Sequence, residues 1–183
     1  MAMIFRNKDG TYASCCALCG KPLSDPIFAT THFIVDSTHD LYGFSDAAMH
    51  WDCYAEWPEQ ERFASLYFEE RVARAKTEPW PRVWPVIWSA PTALVQYGSV
   101  IDEVSVILKK SGTDMRIKRQ DWDTWLSGRW REDCRPGLEC AAIAEQIPQL
   151  AQLTLPQPIA PPNGGPAEPP GDSRAGGGPP SVS

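Results

Sequence analysis

Runs of apolar and β-branched residues separated by turn residues predict two hairpins in this chain. In the first, "PIFATTHFIV" at 26–35 and "LYGF" at 41–44 flank the polar turn "DSTHD". In the second, "VSVILKK" at 104–110 and "DMRIKR" at 114–119 flank "SGT", a glycine-containing turn typical of hairpins. "TALVQYG" at 92–98 is a further predicted strand. Since strands joined by tight turns run in opposite directions, we expect antiparallel pairing.

Apolar residues spaced three and four apart predict three to four helices. The clearest helix runs from Pro58 to about Lys76. One of its faces carries Phe63, Leu66 and Tyr67, and proline suits its first turn. The other helices are predicted at 47–57 behind a cap at Ser45 or Asp46, at 122–130 behind Asp121, and from about Glu139 to near Pro148.

The last part of the chain breaks these patterns. From Leu155 onward proline and glycine dominate, and few apolar side chains remain to be buried. Such a composition does not offset the entropy lost on ordering, so 154–183 is predicted to be a disordered tail. The fold is then carried by 1–153, a length sufficient for one hydrophobic core.

The charge balance limits the classes of partner. The formal net charge is −6, and residues 1–153 hold 16 Lys and Arg against 21 Asp and Glu. This acidic balance argues against broad phosphate binding. Only 109–135 reverses it, with 8 basic and 5 acidic residues. No run approaches the roughly 20 apolar residues of a membrane span, and the first residues resemble no signal peptide. We therefore expect a cytoplasmic protein without a membrane partner.

Four cysteine and histidine residues have the spacing of a metal site. Cys16 and Cys19 form a CxxC motif followed by Gly20, and His50 and Cys53 form an HxxC motif further along the chain. Two intervening residues allow a tight turn to direct both sulfurs to one point, and glycine permits the positive φ that such turns need. His50 and Cys53 are expected on one face of the predicted helix. Four such ligands predict one structural Zn²⁺ ion with no open coordination position.

The stretch that carries these motifs resembles a known zinc-binding arrangement. "CALCG", a β-hairpin and "HWDC" at the start of a helix are similar to a treble-clef zinc finger. The types and order of the ligands are those of the first half of a LIM domain. The resemblance covers about residues 12–56 and implies that Cys16, Cys19, His50 and Cys53 bind the metal.

Other interpretations of the cysteines remain open. Cys15 can replace Cys16 as a ligand through a CxxxC spacing, the thiols can be buried as small apolar groups, or the CxxC motif can be a redox pair. In a cytoplasmic protein, disulfides are less common than metal ligands or redox groups. Cys134 and Cys140, with five residues between them, are expected to be ordinary buried or exposed thiols.

These observations predict an α+β fold of one small domain. We expect 1–56 to form the treble-clef-like zinc module and to pack into an α+β body at 57–153, with the disordered tail at 154–183. Antiparallel hairpins and three to four helices would make up the body and the module.

No catalytic or cofactor-binding residues are predicted. His32 and His39, with Asp36 and Asp40, lie at a strand end and a turn where polar residues are expected in any fold. A nuclease of the HNH type would need a second helical histidine after His50, and none follows. Motifs for a nucleophile elbow, a phosphate-binding loop and a zinc protease are also missing.

Eight tryptophans are the remaining unusual feature. They can fill the core, or they can lie exposed and bind a partner, since aromatic and arginine side chains dominate binding hot spots. We expect a non-enzymatic zinc-binding protein whose partner is another protein, in the manner of an adaptor or an inhibitor or immunity protein. The alternative is a nucleic-acid-associated protein that uses the basic, tryptophan-containing 109–135 region.

Overall fold

The computed structural model describes residues 2, 4–98 and 102–156. Most of the predicted tail at 154–183 therefore lies outside the described residues. The strands are β1 Ile27–Ala29, β2 Ala48–His50, β3 Val86–Ser89, β4 Ala93–Tyr97, β5 Glu103–Leu108 and β6 Thr113–Lys118. The α-helices are α1 Trp51–Ala55, α2 Gln60–Arg74, α3 Trp80–Val83, α4 Trp122–Thr124, α5 Trp130–Asp133 and α6 Leu138–Leu150, with a π-helical turn at Trp125–Arg129.

The larger sheet contains four antiparallel strands in the order β3-β4-β5-β6. The predicted hairpin at 104–119 is confirmed: Leu108 pairs with Thr113 across its turn, and the register continues to Glu103 opposite Lys118. Every residue of β5 from Val104 to Leu108 is buried, because both faces of the sheet are covered. The predicted α+β fold of one small domain with antiparallel sheets is confirmed.

Different helices cover the two faces of this sheet. On one face, Leu94 and Ile107 pack against Phe68 of α2. The other face packs against the helical segment 122–133 and against α6. Its apolar core contains the buried residues Ala93, Val95, Val104, Val106, Leu108, Ile117, Trp122, Trp125, Trp130, Cys134, Ala142, Ile143 and Leu150.

The smaller sheet pairs β1 with β2 and differs from the predicted hairpin. The predicted strand at 26–35 is regular only at Ile27–Ala29, and 41–44 forms a 3₁₀ turn at Tyr42–Phe44. The returning strand is Ala48–His50, within the segment predicted to be helical. Ser45 does not cap a helix, because its Oγ accepts hydrogen bonds from the backbone N–H groups of Phe33 and Ile34, both at 2.8 Å. Helix α1 therefore starts only at Trp51.

Polar contacts join the small sheet and α1 to the rest of the fold. The Tyr54 hydroxyl donates to the Ser111 carbonyl at 2.8 Å, and the Trp51 indole N–H donates to the Pro136 carbonyl at 3.1 Å. Arg135 lies 4.1 Å from the centre of the Trp51 ring and donates to the Ile27 carbonyl at 3.0 Å. Helix α2 also connects the two cores, since Phe63 packs in the N-terminal cluster and Phe68 against the sheet.

The structure overturns one expectation about side chains and decides between two interpretations that the sequence left open. Cys134 and Cys140 form a disulfide, with their Cα atoms 5.3 Å apart, and are not free thiols. The break between α5 and α6 allows this, because it folds the chain back between the two cysteines. None of the eight tryptophans is exposed: Trp51, Trp122, Trp125 and Trp130 are buried, and Trp57, Trp80, Trp84 and Trp88 are half-buried.

No helix in the described part of the chain combines the length and the apolar character needed to cross a membrane. The cytoplasmic location stays a prediction. Disulfides are more usual in oxidising compartments, so the Cys134–Cys140 bond does not support it.

Candidate metal centre

Four side chains converge at the N-terminal end of α1. The ligand atoms of Cys16, Cys19, His50 and Cys53 all lie within 4.8 Å of one another. These are the four residues whose spacing predicted a zinc site, and the fold brings the two pairs together although Cys19 and His50 lie 31 positions apart in the sequence. Cys16 is buried and the other three are half-buried or exposed, so the cluster lies at the edge of the N-terminal core and is accessible to an ion.

A tight turn positions the two cysteines of the CxxC motif. The Cys16 N–H donates to the Lys21 carbonyl at 2.8 Å, and the Gly20 N–H donates to the Cys16 carbonyl at 2.9 Å. Gly20 has a φ of +72°, a conformation that residues with a Cβ rarely adopt. The predicted role of this glycine is therefore confirmed.

The HxxC pair is positioned by a strand end and a helix start. His50 is the last residue of β2 and the N-cap of α1, with an extended backbone at φ −60° and ψ 144°. Cys53 lies in the first turn of α1. The expectation that both residues lie on one helical face is wrong, because the chain turns from strand to helix between them.

The distances within the cluster fit a tetrahedral ion. The Cys19 sulfur lies 3.4 Å and the Cys53 sulfur 3.6 Å from His50 Nδ1. Zinc bonds of about 2.3 Å to sulfur and about 2.0 Å to nitrogen, at tetrahedral angles, separate the two ligand atoms by about 3.6 Å. The observed separations agree with this value, so the residues present fit a zinc ion.

The other ring nitrogen of His50 orients the imidazole. Nε2 lies 3.0 Å from the Pro22 carbonyl oxygen, a distance at which an Nε2–H group donates a hydrogen bond. The lone pair is then on Nδ1, the atom that faces the sulfurs. Metal-binding histidines usually have such a partner on the second nitrogen. No sequence signal marks Pro22 for this role, because every residue has a backbone carbonyl.

The local environment gives two of the thiols, Cys16 and Cys53, different pKa values. Burial raises the pKa of Cys16, but hydrogen bonds from the backbone N–H groups of Cys19, His50 and Leu18 outweigh this and lower the pKa to about 7. Burial, and then the neighbouring Cys19 and Cys16, raise the pKa of Cys53 to about 11. Three sulfurs this close repel one another as thiolates, and a divalent cation among them offsets the repulsion.

The remaining candidate residues lie outside the cluster. Cys15 is exposed, and its backbone pairs with Pro22 in an isolated bridge. Asp36 accepts hydrogen bonds from Thr38 in a local turn. His39 accepts the Leu41 N–H at 3.1 Å, and the His32 ring lies edge-on to Tyr42. Among the described residues, no second group of this kind forms a metal cluster.

Comparison with known proteins identified no relative of this chain. The chain matches no protein-family model, no curated protein and no solved structure at a significant level. The geometry of Cys16, Cys19, His50 and Cys53 therefore carries the interpretation of this centre by itself.

Proposed function

We propose that this protein binds one zinc ion through Cys16, Cys19, His50 and Cys53, and that the ion stabilises the fold. The observation that carries the proposal is the convergence of the four ligand atoms within 4.8 Å. Three cysteines and one histidine are a usual ligand set for structural zinc. Four protein ligands fill a tetrahedral ion and leave no position for a reacting water, so the ion has no catalytic role.

The local architecture agrees with the treble-clef resemblance. A tight turn supplies Cys16 and Cys19, the β1–β2 pair follows, and the start of α1 supplies His50 and Cys53. The chain thus places one ligand pair on a turn and the other at a helix start, as a treble clef does. We propose that this segment is a treble-clef-type zinc site.

Metal analysis of the purified full-length protein tests the proposal. We expect one zinc per chain, and a loss of zinc in the Cys16→Ser variant. Cys15→Ser is the matched control, because Cys15 is the exposed neighbour outside the cluster; its zinc content should equal that of the unchanged protein. A metal-free protein in which residues 4–57 are folded would overturn the proposal, and equal zinc loss in both variants would overturn the choice of Cys16.

We further propose that the biochemical role is to bind another protein. A zinc ion with four protein ligands supports a binding protein more than an enzyme. Nucleic-acid binding through 109–135 has less support, because carboxylates already pair with many basic side chains there. The pairs are Lys109–Glu69, Lys110–Glu145, Arg129–Asp121, Arg129–Asp133 and Arg135–Glu139.

Binding measurements at two salt concentrations separate the two roles. Phosphate contacts release counterions, so affinity for nucleic acid falls steeply with salt. We expect no such binding by the zinc-loaded protein and a stoichiometric protein partner in affinity capture. Salt-sensitive binding of DNA or RNA that is lost on neutralising Lys109 and Lys110 would instead favour the alternative.

A further inference from the structure

A cleft of about 630 Å³ lies beside strand β6. One wall is residues 114–118 of β6. The opposite wall is one face of the helical segment that follows, where Asp121, Trp125, Arg129 and Asp133 recur every four residues. This volume is typical of sites that enclose a ligand, and the metal centre contributes no residue to it.

The cleft exposes the free edge of the larger sheet. β6 pairs with β5 on one side, and no strand within 4–98 or 102–156 pairs with its other side. The Arg119 N–H donates to the Asp102 carbonyl. In an antiparallel pair every second residue bonds to the neighbouring strand, so this bond identifies which residues of β6 bond to β5 and which point away from it. Thr113, Met115 and Ile117 then bond to β5, while the backbone groups of Asp114, Arg116 and Lys118 point away from it.

These outward groups have no backbone partner in the described part of the chain. Three outward-pointing residues, each two positions after the last, are enough to pair with a short extended segment. A strand added in this way takes most of its affinity from main-chain hydrogen bonds. The free edge of β6 is therefore a template for a further strand.

The side chains of β6 define what that strand should carry. On one face, Arg116 and Lys118 are exposed and have no ion pair within the described residues, while Asp114 on the same face is already paired with Arg71 at 3.7 Å. On the other face, Met115 and Ile117 pack towards the core that contains Trp125. Side chains alternate between the faces of a strand, so a matching segment alternates apolar residues with carboxylates.

Two buried polar atoms in the cleft also lack partners. Among the residues that the structure describes, the indole N–H of Trp125, which is 1% exposed, has no acceptor and Glu103 Oε2 has no donor. Both residues line the cleft. Buried polar groups usually have a hydrogen-bond partner, so this donor and this acceptor favour a ligand that carries polar groups.

We propose that this cleft binds an extended segment of another protein as a fifth strand beside β6. The segment carries carboxylates towards Arg116 and Lys118 and apolar side chains towards Met115 and Ile117. This inference rests on the proposed role in protein binding and names the surface and the chemistry of the partner. It does not depend on the zinc ion.

A defined peptide tests the proposal with the zinc-loaded, full-length protein. The probe is a fluorescein-labelled heptapeptide of alternating valine and glutamate, and its binding is followed by fluorescence anisotropy. We expect the Arg116→Glu/Lys118→Glu variant to bind the peptide at least tenfold more weakly. Lys8→Glu/Lys76→Glu is the control for net charge, because both lysines are exposed and outside the cleft; it should change the affinity less than twofold.

N-methylated versions of the peptide test the pairing itself. Methyl groups are placed on all the glutamate amides in one version and on all the valine amides in the other. Only one set of amides faces β6, so we expect one version to lose at least tenfold in affinity and the other to bind nearly unchanged. Equal binding of both versions, or equal weakening by Lys8→Glu/Lys76→Glu, would overturn the proposed strand addition.

The outcomes also separate this inference from the proposed function. If a captured protein partner binds normally to the Arg116→Glu/Lys118→Glu variant, the cleft is wrong and the protein-binding role stands. If no protein partner is captured while the peptide binds at the cleft, the strand-addition site stands and the proposed protein-binding role fails. Circular dichroism and zinc content confirm that the variants remain folded.

Discussion

The two sheets of this protein are stabilised in different ways. β5 lies at the centre of the larger sheet, where it pairs with β4 over five residues and with β6 over six, and helices cover both faces. The smaller sheet has three residue pairs between β1 and β2. Around it, residues 4–57 consist mostly of turns, one 3₁₀ turn and a five-residue helix.

This difference explains why the metal cluster lies where it does. A two-stranded ladder of this length is not stable by itself in water. A zinc ion bound by the cluster, as proposed above, would connect the turn at Cys16 and Cys19 to His50, the last residue of the small sheet, and to the start of α1. An aromatic core adds to this, with Phe28 stacked on Tyr54 at 3.7 Å between ring centres. The larger sheet needs no such link, because burial stabilises it.

The largest effect is expected from removing zinc. Structural zinc contributes about 10–16 kcal/mol to the folding of small zinc modules, so chelation should unfold residues 4–57 and leave the sheet of β4 and β5 folded. Hydrogen exchange measured by mass spectrometry, with and without a chelator, checks this. Peptides from 16–53 should lose protection, and peptides from 93–108 should keep it. Uniform loss of protection would show that the two regions unfold as one unit.

The next largest effect is expected at Gly112, in the turn between β5 and β6. Its φ is +64°, and a Cβ there would lie 2.8 Å from the Tyr54 hydroxyl and 3.1 Å from the Ala64 Cα. Gly112→Ala should therefore lower the free energy of unfolding by about 2–4 kcal/mol, through left-handed strain and overpacking. Urea denaturation gives this value.

Gly10→Ala is the control for that substitution. Gly10 has a similar φ of +87° but nothing within 4 Å of its added Cβ. Gly10→Ala should lower the free energy of unfolding by about 1 kcal/mol, because only the left-handed backbone strain applies there. Equal losses for the two variants would mean that the contact between the hairpin turn and Tyr54 does not couple the two regions.

A smaller effect is expected at Arg135, which links α6 to the small sheet. Its guanidinium contacts both Glu139 oxygens at 2.8 and 2.9 Å, the Ile27 carbonyl and the face of Trp51. Lysine keeps the positive charge, but it cannot bind both Glu139 oxygens with two parallel N–H groups, and it stacks less well on the Trp51 ring. Arg135→Lys should lower the free energy of unfolding by about 1–3 kcal/mol. Thermal and urea unfolding measure this, with Arg82→Lys as control, since Arg82 is exposed and should change stability by less than about 0.5 kcal/mol.

The smallest effect is expected from Asp40, which connects a surface loop to α2. Hydrogen bonds from Arg62 lower the pKa of Asp40 below its usual 3.8. A carboxyl with a lowered pKa in the folded state stabilises it above the usual pKa, and this contribution is lost as the pH falls through the lowered value. NMR titration should show Asp40 titrating below pH 3.8, and Arg62→Gln should return it to its usual value. An unchanged titration in that variant would show that Arg62 is not the cause.

Local sequence patterns predicted the larger sheet and the long helices well. The hairpin at 104–119 follows from two alternating runs around Gly112, and α2 and α6 follow from apolar spacing. These elements have enough residues for the periodicity of burial to identify them. The N-terminal region was predicted less well, because its strands of three residues are too short to show a period.

The candidate ligands were predictable for a different reason. Cys16, Cys19, His50 and Cys53 have residue types and spacings that few other structures need. Their geometry was not predictable, since His50 ends a strand and does not lie on a helix. The Cys134–Cys140 disulfide was also missed, because sequence spacing does not show where a helix breaks and the chain folds back.

The sequence by itself determined the α+β class, the central hairpin and the four residues of the candidate metal site, because these depend on local periodicity and on ligand chemistry. Only the tertiary structure decided the orientation of His50 by the Pro22 carbonyl, the burial of the tryptophans and the free edge of β6 beside its cleft. Each of these depends on which distant segments pack together. Contacts between distant segments are set by the three-dimensional fold and leave no fixed spacing in the chain.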